Sequence, residues 1–164
     1  MPVEIRAAEP VDIPVLLSLL RELAAYEKLT DRVQIDEALM AEYVFGEHAV
    51  AEALIGFQDC DPVCYALFYP VFPSFRGLPW LYLEDLYVQP RARGCGVGRA
   101  MISHLARIAI DRGWDAMAWG VLEWNEPALK FYETLGAVRS TIPVQMELSR
   151  EALERLADGC SNRT

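Results

Sequence analysis

Histidine and cysteine are scarce in this 164-residue chain: His48 and His104 are its two histidines, and Cys60, Cys64, Cys95 and Cys160 its four cysteines. No two cysteines stand in CxxC spacing, and neither histidine lies within six residues of one. Bound metals need such clustering, so no metal site is expected. A domain of this length builds a core without disulfide staples, so the thiols are expected to be free. Long apolar runs are also missing: Val63–Tyr69 is typical, far short of the roughly 18 residues that suggest a membrane span. The opening Met1-Pro2-Val3-Glu4-Ile5-Arg6 lacks the basic-then-apolar pattern of a signal peptide, and a cytoplasmic protein is expected. Repeats, low-complexity tracts and Gly/Ser linkers are absent, which predicts a single domain over residues 1–164. What is abundant is apolar: 53% of the residues are hydrophobic, enough to exclude a disordered chain.

Positive charge is in short supply. Fifteen Lys and Arg face 24 Asp and Glu, a net charge of −9. So acidic a chain is a poor partner for nucleic acid, whose backbone must be neutralised by basic side chains. The distribution is uneven: residues 1–60 carry 12 acids against 4 bases. Between Tyr87 and Arg112 the balance reverses, with Arg91, Arg93, Arg99, Arg107 and Arg112 against Asp111. A local basic segment suits a phosphorylated ligand, and the acidic remainder suits a cation.

The apolar pattern predicts alternating elements. Asp12 is placed to cap a helix with Pro14 in its first turn, and Leu16, Leu19, Leu20 and Leu23 form a stripe leading to Tyr26. A shorter helix is expected over Asp36–Phe45, stopped by Gly46. Strands are expected at Val50–Phe57, Val63–Phe72 and Leu81–Val88, the second of them ending or lying at an edge near Pro70 and Pro73. Val97, Met101, Leu105 and Ile108 share one face of a helix over Val97–Arg112, closed by Gly113. A strand at Ala116–Leu122, a helix from Glu126 to Leu135 ended by Gly136, one or two strands within 137–148 broken by Pro143, and a helix at Glu151–Ala157 complete the expectation. Two early hairpins and a later strand–helix–strand unit read as α/β with a mixed, mostly antiparallel sheet flanked by helices.

Between the third strand and its helix stands Arg91-Ala92-Arg93-Gly94-Cys95-Gly96-Val97-Gly98-Arg99. Glycines there let a ligand approach the backbone, and the free N–H groups at a helix start hold anionic oxygens. It is not the dinucleotide pattern GxGxxG, because Arg99 stands where the last glycine would be. Nor is it a P-loop, which needs Gly-Lys-Ser/Thr.

Arg93-Gly94-Cys95-Gly96-Val97-Gly98 resembles the Arg/Gln-x-x-Gly-x-Gly/Ala acetyl-CoA motif of the GNAT acetyltransferases. The strand end Leu86-Tyr87-Val88-Gln89-Pro90 before it is similar too, as are Asn125-Glu126-Pro127-Ala128 and Phe131-Tyr132-Glu133-Thr134-Leu135-Gly136-Ala137 after it. Glu22-Leu23-Ala24-Ala25-Tyr26-Glu27, Phe45-Gly46-Glu47-His48, Leu81-Tyr82-Leu83-Glu84-Asp85 and Glu123-Trp124-Asn125-Glu126-Pro127 resemble the branch that acetylates spermidine, spermine and thialysine. Together the similar segments span nearly the whole chain.

The resemblance implies a GNAT-like fold, acetyl-CoA as co-substrate, a small primary amine as acceptor, and a cytoplasmic homodimer. The thioester and pantetheine would lie along Leu86, Tyr87 and Val88, with backbone N–H groups as donors to the carbonyl oxygen. The pyrophosphate would rest on the amides of Gly94, Cys95, Gly96, Val97, Gly98 and Arg99, with charge added by Arg93 and Arg99. Asn125 and Ala128 would contact the pantetheine arm. Tyr132 would protonate the departing thiolate as general acid. Glu84 would bind the ammonium and accept its proton through water, and Tyr26, Glu27 and Asp85 would complete the acceptor site. Trp119 and Trp124 could line it. Strand alternation predicts that the neighbours Glu84 and Asp85 point to opposite faces and so cannot pair.

One departure bears on the acceptor. Polyamine-binding relatives carry an acidic pair after the catalytic helix, whereas Val138-Arg139-Ser140-Thr141-Ile142-Pro143-Val144 is shorter, has no carboxylate and adds Arg139. Shorter diamines and thialysine-like amino acids remain open. Two other readings also stay open: a protein or peptide N-acetyltransferase, and an acyl-CoA-binding sensor without catalysis, which would need neither Tyr132 nor Glu84.

Overall fold

The computed structural model describes residues 3–140 and 148–161. They fall into two compact units, Met1–Asn125 and Glu126–Thr164. The first holds a five-stranded sheet in the order β1-β2-β3-β4-β5. Strands β1 (Glu4–Ala7), β2 (Glu52–Gln58), β3 (Asp61–Val71) and β4 (Trp80–Val88) are antiparallel neighbours, and β5 (Ala116–Trp119) lies parallel to β4. The parallel step requires a crossover, supplied by helix α3 (Val97–Asp111). This is the expected mixed, mostly antiparallel α/β sheet.

Helix α1 (Ile13–Glu27) covers one face of the sheet. Ile13, Leu16, Leu17 and Leu19 on α1 join Ile55, Tyr65 and Tyr87 of the strands, and Met40, in one buried cluster. Met40 ends α2 (Glu37–Met40), capped by Asp36, whose carboxylate accepts from the Leu39 N–H at 2.9 Å. The helical path continues as a wider π turn over Ala41–Phe45 and stops at Gly46, as the sequence predicts. Helix α3 buries Val97, Met101, Leu105 and Ala109 against the strands.

The cap of α1 differs from expectation. Asp12 is itself in a helical conformation at the end of a 3-10 turn, Pro10–Asp12, so its carboxylate turns back instead of capping α1. Its two oxygens accept from Arg6 on β1 at 2.6 and 2.8 Å, and one also takes the Glu9 N–H at 2.8 Å. The fork joins β1 to the start of α1, and the Arg6 guanidinium holds the Asp12 carboxyl below its ordinary range.

Pro70 lies inside β3, opposite Leu81. The β2 register ends at Glu52 opposite Phe68, so among the described residues Pro70 sits where β3 has a neighbour on one side alone and needs no N–H on the other. Strand β5 is shorter than expected, for a reason found in β4. Leu67 of β3 faces Asp85 while its neighbour Phe68 faces Leu83, so Glu84 is an extra, bulged residue. A bulged strand bends, and pairing with β5 stops at Leu83 opposite Trp119, just before the bulge.

The second unit contains α4 (Glu126–Glu133) and α5 (Arg150–Ser161). Residues 137–140 form no strand, and the remainder of the strand region expected within 137–148 falls largely outside the described residues. No helix among the described residues is long and apolar enough to cross a membrane.

Asp12→Ala should lower stability by about 2 kcal/mol at pH 7, the scale of a charged, part-buried hydrogen-bonded pair with one partly exposed partner. Because the folded-state pKa of Asp12 is depressed, its contribution is present above about pH 4 and fades as pH falls through the folded value. Urea melts of both proteins at pH 7 and pH 3 should therefore show a gap that narrows in acid; a gap that is constant with pH would exclude the ion pair as its source.

Candidate active site

The bulge also decides where the acidic pair points. Tyr65 and Tyr69 are four residues apart on β3 and share a face. The Tyr69 hydroxyl donates to Glu84 Oε2 at 2.7 Å, and the Tyr65 hydroxyl to Asp85 Oδ2 at 3.1 Å. Glu84 and Asp85 therefore reach the same face of the sheet, which corrects the expectation from simple alternation. The extra residue shifts the phase of the strand by one, so consecutive side chains meet one row of tyrosines. It is the face covered by α1, because Tyr65 belongs to the cluster beneath that helix.

Their surroundings differ. Glu84 is exposed, whereas burial pushes the Asp85 carboxyl up to about 6, with the charges of Glu84 and Glu27 adding to the rise and the Tyr65 hydrogen bond opposing it. Glu27, the last residue of α1, is also raised by burial. Three carboxylates thus bear on one region, with two tyrosine hydroxyls donating to two of them. Held at neutral pH, such a group attracts a cation and offers a proton acceptor of nearly neutral pKa.

Beyond the bulge, Glu84–Val88 of β4 run on without a strand on the β5 side among the described residues. Leu86 and Val88 are half-buried there, and Tyr87 is buried under α1. After β4 the chain makes a 3-10 turn, Pro90–Ala92, and then the glycine loop. Gly94 and Gly96 have φ of 75° and 84°, a region that side chains resist. Gly94, Cys95 and Gly96 are exposed, Val97 is the buried first residue of α3, and Gly98 and Arg99 follow in its first turn, Gly98 half-buried and Arg99 exposed. A long helix start with an exposed glycine lead-in presents N–H groups to an anion.

Arg93 is not aimed away from the protein. Its Nε donates to the Val88 carbonyl at 2.9 Å, and its guanidinium lies over the rings of Tyr26 (4.6 Å) and Tyr87 (5.7 Å). Tyr26 donates to Oδ1 of the buried Asn125 at 3.1 Å and packs against Trp124 at 5.8 Å. Trp124 is half-exposed, with Lys28 Nζ 5.9 Å above its ring, and Trp119 ends β5 half-buried. The structure thus gathers Tyr26, Tyr87, Arg93 and Asn125 in one contact network, and Glu27, Glu84 and Asp85 in another. Ala128 and Tyr132 lie half-buried on α4 in the second unit, where the Tyr132 ring is 5.1 Å from Phe131. No group of His, Cys, Asp and Glu suited to a metal ion occurs among the described residues.

Sequence reasoning misses Glu22, Gln89, Tyr65 and Tyr69. Glu22 accepts Gln89 Nε2 at 3.0 and 3.1 Å and the Tyr87 hydroxyl at 3.1 Å, tying α1 to the end of β4. The helical spacing of Glu22 and Tyr26 puts both on one face, and that spacing is visible in the sequence.

The Asp85 carboxyl should titrate with a midpoint near pH 6 in a carbon-13 NMR experiment. Tyr65→Phe should move the midpoint upward, because the hydrogen bond it removes favours the charged form. A midpoint that stays put, or falls, would mean that Tyr65 does not donate to Asp85.

The model of the acetyltransferase (GNAT) family matches residues 16–137. The chain is 39% identical over 141 residues to a thialysine N-epsilon-acetyltransferase of Sus scrofa, covering 81% of this chain and 82% of that protein. It is 32% identical over 162 residues to the human spermidine/spermine N(1)-acetyltransferase-like protein 1, covering 94% of this chain but 23% of that longer protein. Among solved structures, an integron cassette protein from the mobile metagenome of V. cholerae superposes with a TM-score of 0.78 at 28% identity, over 96% of this chain and 98% of that one.

Proposed function

We propose, since the chain belongs to the GNAT acetyltransferase family and is an N-acetyltransferase, that it moves an acetyl group from acetyl-CoA to a primary amine of a small cationic acceptor. Diamines, polyamines and thialysine-like amino acids form the acceptor class. The observation that carries this reading is the bulge at Glu84, which brings Glu84 and Asp85 to one sheet face near Glu27 and beside an edge of β4 that no strand among the described residues pairs.

Bound acetyl-CoA supplies the thioester: the amine nitrogen attacks its carbonyl carbon, the C–S bond breaks and CoA leaves as the thiolate. Leu86 and Val88 offer backbone N–H donors on the β5 side where oxyanion charge develops, between them Tyr87, whose own N–H faces β3. The amides of Gly94, Cys95, Gly96, Val97, Gly98 and Arg99 hold the pyrophosphate, with Arg99 adding charge. Arg93 contributes field from its place over the aromatic rings. Asn125 and Ala128 flank the pantetheine arm. An alkylammonium has a pKa near that of lysine, about 10.4, and reacts only after losing a proton. Glu84 binds the ammonium and takes that proton through water, while Asp85 and Glu27 deepen the negative potential. The nitrogen loses its second proton to water as the amide forms, and Tyr132 gives a proton to the thiolate and regains one from solvent. The resemblance to the polyamine branch also supports a cytoplasmic homodimer, which sedimentation analysis would test.

A CoA-release assay with acetyl-CoA against putrescine, spermidine, spermine, thialysine, lysine and a peptide with a free N-terminus tests the reading. Saturable turnover on a small amine is expected, and Tyr132→Phe should lower kcat by roughly 10²–10⁴. Turnover on the peptide alone would replace the acceptor class. An unchanged kcat in the variant would remove Tyr132 from the mechanism.

A further inference from the structure

Tyr26 stands beside Glu27, and the family resemblance makes it part of the acceptor site. Its own contacts argue otherwise. The hydroxyl proton is committed to Asn125 Oδ1 at 3.1 Å. One face of its ring is covered by the Arg93 guanidinium, 4.6 Å from the centroid. A cationic acceptor gains nothing from a π face already holding a cation, and it is repelled by that cation. Trp124 adds a second protein contact to the ring at 5.8 Å.

These contacts join two stretches of chain that part company in the sheet. Strands β4 and β5 pair as far as Leu83 and Trp119. Beyond that point, the β4 chain leads to Arg93 and the β5 chain to Asn125. Tyr26 touches both, from a helix that Glu22, one turn earlier, fastens to Tyr87 and Gln89 at the end of β4. Arg93 in turn fixes the entrance of the glycine loop through the Val88 carbonyl.

We propose that Tyr26 is a positioning residue for the acyl donor: it braces Arg93 against Asn125 and so sets the separation of the two chain segments between which CoA binds, without contacting the amine. The assignment rests on the acetyl-CoA reading above and adds a role that the acceptor-site assignment does not contain. Its consequence is a split in binding. Loss of the brace weakens CoA, whereas loss of an acceptor contact would weaken the amine.

The experiment is a calorimetric titration of the whole protein with CoA, amine absent, for wild type, Tyr26→Phe and Tyr26→Leu, followed by initial rates with thialysine. Tyr26→Phe keeps the ring beneath Arg93 and removes one hydrogen bond, so the CoA Kd should rise about fivefold. Tyr26→Leu also removes the ring and should raise it roughly 10- to 30-fold. The KM for thialysine should stay within about twofold in Tyr26→Phe, since no amine contact is lost. A CoA Kd unchanged in both variants overturns the proposal, and so does a thialysine KM that rises while CoA binding is intact. Wild-type protein that fails to bind CoA would instead overturn the acetyl-CoA reading itself, an outcome visible before any variant is compared.

Discussion

One extra residue in β4 governs the candidate site. The sheet pairs Leu67 with Asp85 and Phe68 with Leu83, and the residue between, Glu84, has no opposite number. The bend that follows a bulge falls where β5 stops pairing, so among the described residues one edge of β4 is left without a strand beyond Leu83. The same phase shift turns two adjacent carboxylates to one face, where two tyrosines from a single row of β3 receive them. The free edge and the acidic surface are therefore two results of one irregularity, and neither needs a loop to create it.

The like charges so gathered repel one another, and the structure meets this unequally. Glu84 stays exposed, where water screens it, while Asp85 is drawn inward and its carboxyl rises to about 6. Tyr65 hydrogen bonds to Asp85 and thereby opposes part of that rise. Two neighbouring groups of the same chemical type thus sit in different surroundings because one backbone residue is out of register. Environment sets the two apart, as it does where paired carboxylates serve different purposes in one site.

The mixed, mostly antiparallel sheet, the helix expected over Val97–Arg112 and the glycine loop were legible in the sequence, because each has a local signature: alternation, a helical stripe, or glycines where φ is positive, whereas the short β1 (Glu4–Ala7) was not. The acidic pair was legible as residues but not as geometry. Its trace is faint: the apolar positions of β4 run Leu81, Leu83 and then Leu86, Val88, a change from odd to even numbers that marks the inserted residue. Asp12 was legible as a polar residue before a helix, yet its partner is Arg6, set by how β1 meets the turn. The network of Glu22, Gln89, Tyr87 and Arg93 holds contacts between residues up to 67 positions apart, a kind of relation that no local pattern encodes.

Helix α1 carries Glu22, Tyr26 and Glu27 on the same rigid body whose leucines are fixed in the core. A single inserted or deleted residue between Leu19 and Glu22 would turn the later residues by about 100° relative to the leucines. Glu22 would leave the end of β4, Tyr26 would leave Arg93 and Asn125, and Glu27 would leave the acidic group, all in one step. A change in the length of this segment therefore dismantles both contact networks together, whereas exchange of a side chain at a fixed position leaves the frame of the others intact.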